Sequence, residues 1–73
     1  MAMRGQRGAP HVIAAARESF LRADEHLAAI VRAHQAGTAG REQCLLALLD
    51  QQQTYHIYVE ELIGGIGRLE DER

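Results

Sequence analysis

The stretch Gly37-Thr38-Ala39-Gly40 interrupts a chain that has a helical pattern on both sides. Gly37 can adopt the left-handed conformation that ends a helix. Thr38 or Gly40 can then cap a second helix, and Glu42 favours the first turn of that helix. Because so short a connection brings the next helix back along the first, the sequence predicts an all-α fold, an antiparallel two-helix hairpin with its turn at residues 37–40.

The segment before this turn has apolar residues at every third or fourth position, which is the spacing of one helix face. Pro10 suits the first turn of a helix, so we expect helix one to span about residues 10–36. Its many alanines raise helix propensity and leave room for a neighbouring backbone. Residues 1–9 contain two glycines and little to bury, and they are predicted to be a flexible arm. The side chains predicted to enter the hairpin core from helix one are Ile13, Phe20, Leu27 and Ile30.

The segment after the turn has the longer apolar pattern, and helix two is expected to span about residues 41–69. Gly64, Gly65 and Gly67 each cost about 1 kcal/mol relative to alanine inside a helix. Either the helix loosens there or another backbone packs closely. Gln52 interrupts the main apolar row, where it can fix the register of helix pairing or belong to a solvated turn. The core residues predicted from this row are Leu45, Leu48, Tyr55, Val59, Leu62 and Ile66.

A second apolar row lies beside the first on helix two, so the apolar band is wider than one facing helix can cover. Burying a leucine-sized side chain contributes roughly 1.5–3 kcal/mol, and ordering each residue costs about as much. A lone hairpin therefore has a stability near zero, and we expect it to complete a bundle by dimerisation or by docking on another protein. The residues predicted to bind that partner are Val31, Leu46, Leu49, Tyr58 and Ile63.

The composition restricts the class of protein. With 73 residues the chain forms one domain at most, and 47% apolar with 25% charged residues indicates a folded chain rather than a disordered one. No apolar run approaches the ~20 residues that cross a bilayer. Cys44 is the only cysteine, so no internal disulfide can form and a reducing, cytoplasmic location is expected. The net charge of −2 argues against nucleic acid, so the expected partner is another protein or a second copy.

The candidate ligands and reactive groups have ordinary structural interpretations. His56 and Glu60 are four residues apart, which suits a helical metal site, but a single pair of this kind is better interpreted as a surface ion pair. Cys44 opens helix two, where a helix N-terminus can activate a thiol, and a buried, inert cysteine is the preferred interpretation. Tyr55 is assigned to the core and Tyr58 to the partner, and the reverse assignment stays open. No metal and no cofactor is predicted.

The chain carries no motif for catalysis. A phosphate loop, a catalytic triad, paired carboxylates in a cleft and zinc-binding spacing are all absent from the sequence. A two-helix hairpin also offers no concave pocket of the size that enzymes use. The sequence therefore predicts that the protein is not an enzyme but a small protein–protein interaction module.

Several features in residues 20–72 are shared with one known family. They are Gly37 at the end of helix one, the pair Glu42-Gln43, the run Gln51-Gln52-Gln53, and Gly64-Gly65-Ile66 before a short acidic tail. In these the chain resembles the small helical-hairpin co-chaperones of type III secretion systems, although helix two is longer than the family implies. The resemblance implies a cytoplasmic adaptor that binds a larger helical-repeat chaperone and the needle subunit.

Residues 27–32, followed by a cysteine at the start of helix two, are similar to the small copper- and persulfide-sensing repressors, which form helical dimers and tetramers. The His and second Cys of that family would fall near Leu69 and Arg73, and neither residue is a ligand. Two alternatives to the adaptor stay open. One is a homodimeric four-helix-bundle regulatory protein, linked to nucleic acid through Arg4 and Arg7, and the other is a metal- or thiol-sensing bundle.

Overall fold

The protein is described by a computed structural model that covers residues 8–71, with side chains as far as Gly67. Helix α1 spans Pro10–Gln35 and helix α2 spans Arg41–Asp71. The two helices pack against each other in a hairpin, and residues 8–71 contain no strand. The predicted all-α hairpin is confirmed, and both helices end within two residues of the expected positions. Residues 1–7 of the predicted arm lie outside the described residues.

The end of α1 is determined by hydrogen bonds around Gly37, whose φ is +83°. The Gly37 N–H donates to the His34 carbonyl at 3.0 Å, and the Thr38 N–H donates to the Ala33 carbonyl at 2.8 Å. These two bonds form the Schellman motif, which satisfies the last carbonyls of a helix. The Thr38 hydroxyl donates a further bond to the Ala33 carbonyl at 3.1 Å. Gly37 thus has the left-handed conformation that the sequence predicts.

Helix α2 begins directly after Gly40, whose N–H donates to the side-chain oxygen of Gln43 at 2.9 Å. A side chain at the third helical position that reaches back to the cap residue is one half of a capping box. Of the two predicted caps, Gly40 occupies the cap position of α2, whereas Thr38 stabilises the end of α1. The imidazole of His34 closes the turn by donating from Nδ1 to the Ala39 carbonyl at 2.9 Å.

We expect Gly37→Ala to lower the free energy of unfolding by about 1 kcal/mol, because an L side chain disfavours the left-handed conformation. A Cβ atom at this position would meet no other atom within 4 Å, so the loss is purely conformational. Gly37→Asn should recover much of it, since asparagine tolerates positive φ. Chemical denaturation followed by circular dichroism at one fixed protein concentration measures the difference. Equal midpoints for all three proteins would contradict the prediction.

The contact between α1 and α2 is built on small side chains. Ala23 and Ala47 are 5% and 4% exposed, and with Ala9 they are the only buried apolar residues in the described part of the chain that carry a side chain. Cys44 is half-buried beside them, with its Sγ 4.0 Å from the Ile30 carbonyl oxygen. No large side chain is fully buried within the described residues. The hairpin therefore has a thin core along the line where the two helices meet.

Helix α1 presents the predicted face to α2. Phe20 contacts two tyrosine rings of α2, and the Cδ1 atom of Ile13 lies beside Gly65. These residues are half-buried rather than buried, because α2 covers them from one side only. The four residues predicted for the core from α1 share this half-buried state: Ile13, Phe20, Leu27 and Ile30.

Helix α2 does not present the predicted face. We call the residues of each helix that face the other helix its inner residues. In α2 they lie one position earlier in the sequence than the predicted row, which corresponds to a rotation of about 100° around the helix axis. The row of inner residues is Cys44, Ala47, Gln51, Thr54, Tyr58, Glu61 and Gly65. The predicted core is therefore wrong for five residues, which are exposed: Leu45, Leu48, Tyr55, Leu62 and Ile66.

Side-chain size is the physical reason for this difference. Cys44, Ala47 and Gly65 allow the backbone of α2 to approach α1 closely, whereas a row of leucines would hold the two helices apart. Of the predicted core residues in α2, only Val59 is half-buried. The leucine row of α2 consequently lies on one side of the helix contact, where Val59 is half-buried and Tyr55 still reaches Phe20.

The segment before α1 packs against the C-terminal half of α2. Gly8 and Ala9 are buried, so the predicted flexible arm is wrong at these two positions. The Gly8 N–H donates to the Glu61 carboxylate at 2.7 Å, and a Cβ atom on Gly65 would lie 3.1 Å from the Gly8 carbonyl oxygen. Of the two alternatives for Gly64 and Gly65, close packing of another backbone is the one observed. Helix α2 continues through both glycines.

Candidate protein-interaction surface

The hairpin is one layer of two helices, so it has a broad face on each side of the helix contact. On the first face, residues that precede the inner positions of both helices line a single shallow depression above Ile30. These residues, most of them polar, are His26, Gln43, Leu46 and Asp50. These residues come from both helices, and each lies one position before an inner residue. Positions that precede the inner residues therefore share one side of the hairpin, which we call the polar face.

The second face consists of the residues that follow the inner positions, because these lie on the other side of each helix. Its described residues are apolar apart from Arg17, Asp24, His34 and Gln52. Leu21 was not predicted to be part of any surface, because it lies off the apolar stripe of α1. The term apolar face is used here for the exposed large side chains of this side: Leu21, Val31, Leu45, Leu48, Tyr55, Leu62 and Ile66.

The surface of α2 away from the apolar face carries the other four exposed apolar side chains, and two of them, Leu46 and Ile57, lie at its border with the polar face. Leu46 and Ile63 are 66% and 63% exposed, and Leu49 and Ile57 border a shallow groove with His56. We call Leu46, Leu49, Ile57 and Ile63 the outer ridge. Three of the residues predicted to bind a partner belong to it, and a fourth, Val31, belongs to the apolar face. Ile57 was not predicted, since it lies outside both apolar rows of the sequence.

The exposed apolar surface is large for a chain of 73 residues. Contiguous apolar patches on monomeric proteins rarely exceed about 300–600 Å². The side chains of the apolar face are each 37–61% exposed, which amounts to an area on the order of 600 Å². The outer ridge adjoins this face and extends the apolar surface around α2. The two surfaces together are larger than the patches of ordinary monomers, and such surfaces mark sites where another protein binds.

The two tyrosines of α2 both contact Phe20. The Tyr58 ring stacks on the Phe20 ring at a centroid distance of 6.2 Å and an interplanar angle of 15°. The Tyr55 ring is tilted by 54° at 5.2 Å, and Tyr55 remains 53% exposed. The assignment of Tyr58 to the partner and of Tyr55 to the core is therefore reversed. The cause is the one-residue rotation of α2.

One polar contact joins the two helices near the middle of the hairpin. The Gln51 side chain donates from Nε2 to the Asp24 carboxylate at 2.8 Å. Gln51, and not Gln52, is thus the glutamine at the helix contact, whereas Gln52 and Gln53 are exposed. Because this bond requires Gln51 to face Asp24, it favours one register of α2 against α1.

The candidate reactive groups stay separate from one another. His56 Nε2 lies 3.1 Å from a Glu60 carboxylate oxygen, as a surface pair. Cys44 is half-buried against α1. Among the described residues, no group of three His, Cys, Asp or Glu side chains is arranged to hold a metal ion.

Comparison of the chain with protein-family models, curated proteins and solved structures gives no match. Over the range that the structure describes, neither helix is sufficiently long and apolar to span a membrane. The exposed apolar surface of α2 is the feature of the described structure that bears most directly on function.

Proposed function

We propose that the protein is a non-enzymatic protein–protein interaction module whose binding surface lies on α2. The observation that carries the proposal is the imbalance between buried and exposed apolar side chains. The described hairpin buries only alanines as its apolar core and exposes eleven large apolar side chains. Exposed apolar surface in such excess over the buried core normally marks a site at which another protein binds.

The outer ridge suits a helical partner. Leu49, His56 and Ile63 follow one another at intervals of seven residues, and Leu46 precedes Leu49 by three. This is the spacing with which a helix fills a groove between other helices. The groove beside Leu49 and Ile57 can accept a side chain from such a partner.

The family resemblance makes the proposal more specific. It suggests a cytoplasmic co-chaperone or adaptor of a secretion system, with a larger helical-repeat chaperone and a needle subunit as partners. A helical-repeat chaperone as partner agrees with the spacing of the outer ridge. The features that support this step are the turn at Gly37 and the stretches 51–53 and 64–66.

Substitutions on the outer ridge test the proposal. We expect Leu49→Asp or Ile63→Asp to weaken binding to the co-expressed helical-repeat chaperone at least tenfold, because each places a carboxylate in an apolar contact. Helicity should be retained, since both side chains point away from α1. Ser19→Asp adds the same charge at an exposed polar position of α1, away from the outer ridge, and should bind normally.

Two results would count against the proposal. Unchanged binding of both outer-ridge variants would show that the partner uses a different surface. A wild-type chain that is a fully helical, stable monomer without any partner, by sedimentation equilibrium and circular dichroism, would overturn the need for one.

A second candidate function is a homodimeric four-helix bundle with a regulatory role. The observation that favours it is the continuation of the apolar face onto α1 at Leu21 and Val31. A partner that gripped only α2 would leave these two side chains exposed. Sedimentation equilibrium of the isolated chain tests this candidate, because it requires a dimer in the absence of other proteins, and a monomer would overturn it.

A further inference from the structure

We infer that the apolar face is covered by a second copy of the chain, packed antiparallel about a two-fold axis that passes near Leu21 and Tyr55. The inference rests on the interaction surface proposed above and assigns a separate occupant to one part of it. The outer ridge stays free in this dimer and remains available for a different protein. The resulting assembly is a four-helix bundle with two layers, each layer being one hairpin.

The position of the axis is based on Leu21 and Tyr55, which lie at the same height along the hairpin. The Phe20 ring lies 5.2 Å from the Tyr55 ring, so Leu21 and Tyr55 stand side by side on the apolar face. A two-fold axis that lies in the face and crosses both helices here places α1 over α1 and α2 over α2 of the second copy. Each helix then runs antiparallel to its counterpart.

The apolar side chains of α2 are arranged almost symmetrically about this axis. Leu48 and Leu62 each lie seven residues from Tyr55, and Leu45 and Ile66 lie ten and eleven residues from it. Rotation by 180° therefore sets Leu48 over Leu62 of the second copy, and Leu45 over Ile66. An isologous interface requires this self-complementarity.

The charges of the apolar face are also self-complementary. Arg17 and Asp24 are the only charged residues of this face in the described chain, and they lie four and three residues from Leu21 on opposite sides. The antiparallel dimer brings Arg17 to Asp24 of the second copy, and the two-fold axis makes this contact twice. In a parallel dimer, α1 would instead lie over α2, and Arg17 would lie near the level of Val59 with no acid opposite it on the apolar face.

Both charged groups are available for this contact. Asp24 accepts one hydrogen bond, from Gln51, and retains further acceptor positions. Arg17 is exposed, and within the described part of the chain it forms no ion pair. The two ion pairs would use the acceptor positions of Asp24 that the bond from Gln51 leaves open.

The area of the apolar face agrees with a dimer. A specific interface takes about a tenth of the surface of a small protein from each partner. The chain exposes 5871 Å² in total, and the apolar face is on the order of 600 Å². One further copy is therefore sufficient to cover it, and no larger partner is needed on this side.

Disulfide cross-linking tests the position of the axis. In a Cys44→Ser background, which removes the only cysteine, Leu21→Cys places two thiols at the axis, within the short Cα–Cα distance that a disulfide needs. We expect it to form a covalent dimer at least tenfold faster than two controls under a mild oxidant. Val31→Cys lies on the same face but ten residues from the axis, and Leu49→Cys lies on the outer ridge. Equal rates for the three variants, or a faster reaction of Val31→Cys, would overturn the inference.

Charge exchange tests the register independently. Arg17→Glu should weaken the dimer about tenfold in sedimentation equilibrium, because each symmetric contact becomes a repulsion. The double variant Arg17→Glu with Asp24→Arg restores opposite charges and should return the dissociation constant to within about threefold of the wild type. A double variant as weak as the single one would overturn the antiparallel register. Tyr55→Cys provides a second cross-linking site on the axis if Leu21→Cys does not fold.

The same measurements separate this inference from the proposed function. A chain that stays monomeric and poorly helical at high micromolar concentration, but folds with a helical partner, overturns the dimer and leaves the interaction module standing. A dimer whose partner binding is unaffected by Leu49→Asp and Ile63→Asp overturns the outer ridge as a binding site and supports the dimer. The expected result is a dimer of normal strength for Leu49→Asp that cross-links through Leu21→Cys.

Discussion

Gly8→Ala should lower the free energy of unfolding by about 3 kcal/mol, although the residue lies outside both helices. Gly8 has a φ of +76°, and a Cβ atom there would collide with the backbone of Gly64 and Gly65. The left-handed conformation alone costs about 1 kcal/mol for an L residue. The collision cannot be relieved by a side-chain rotation, because the atoms in the way belong to the backbone of α2. The segment must therefore move away, with loss of the hydrogen bond to Glu61.

Gly67→Ala is the matched control for this prediction. A Cβ atom on Gly67 would meet nothing within 4 Å, so this variant should gain about 1 kcal/mol from the helix propensity of alanine. Chemical denaturation at one fixed protein concentration gives both values, since the stability of an associating chain depends on concentration. Equal stability of Gly8→Ala and the wild type would show that the segment before α1 does not pack between the glycines and Glu61.

Ala47→Leu should lower the free energy of unfolding by about 2–3 kcal/mol. Ala47 is 4% exposed and belongs to the row of α2 that faces α1. Three additional carbon atoms cannot be accommodated there unless α1 and α2 move apart, and such a movement weakens the contacts of Cys44 and Ala23. If the leucine row faced α1 instead, Ala47 would be exposed, and the larger side chain would leave the free energy of unfolding almost unchanged.

Ala29→Leu is the control for overpacking, since Ala29 is exposed on α1. It should change the free energy of unfolding by less than about 0.5 kcal/mol. The midpoints of urea unfolding, followed by circular dichroism, measure both variants. If Ala47→Leu proved as stable as Ala29→Leu, the small-residue contact between the helices would be incorrect, and the predicted face with Leu48 and Leu62 would have to be reconsidered.

The apolar pattern of α2 could not predict which face of the helix meets α1. Leu45 and Leu48 form a better apolar row than Cys44 and Ala47, and the rows differ by a single residue. Both follow the helical period equally well. Assigning the row of larger side chains to the helix contact is correct where the helices are far enough apart to hold them. In this hairpin the small residues allow a closer contact. The alanines of α1 were the available signal, because they leave room for a neighbouring backbone.

The part of the candidate interaction surface that does not depend on the rotation of α2 could be predicted. The width of the apolar band on α2 follows from the sequence, and Leu46, Leu49 and Ile63 are exposed as that width requires. Tyr58 was misplaced because its side depends on the rotation of α2. Leu21 joins the surface only because the antiparallel arrangement sets it beside Tyr55.

By itself the sequence determined the two helices, the turn and their antiparallel direction. These depend on interactions between residues a few positions apart, such as the Schellman motif at Gly37 and the capping of α2 at Gly40. Only the tertiary structure decided which side of α2 meets α1 and that Gly8 packs against Gly64 and Gly65. These depend on how closely two distant backbones approach, which is set by the smallest side chains at the contact and not by the period of the largest.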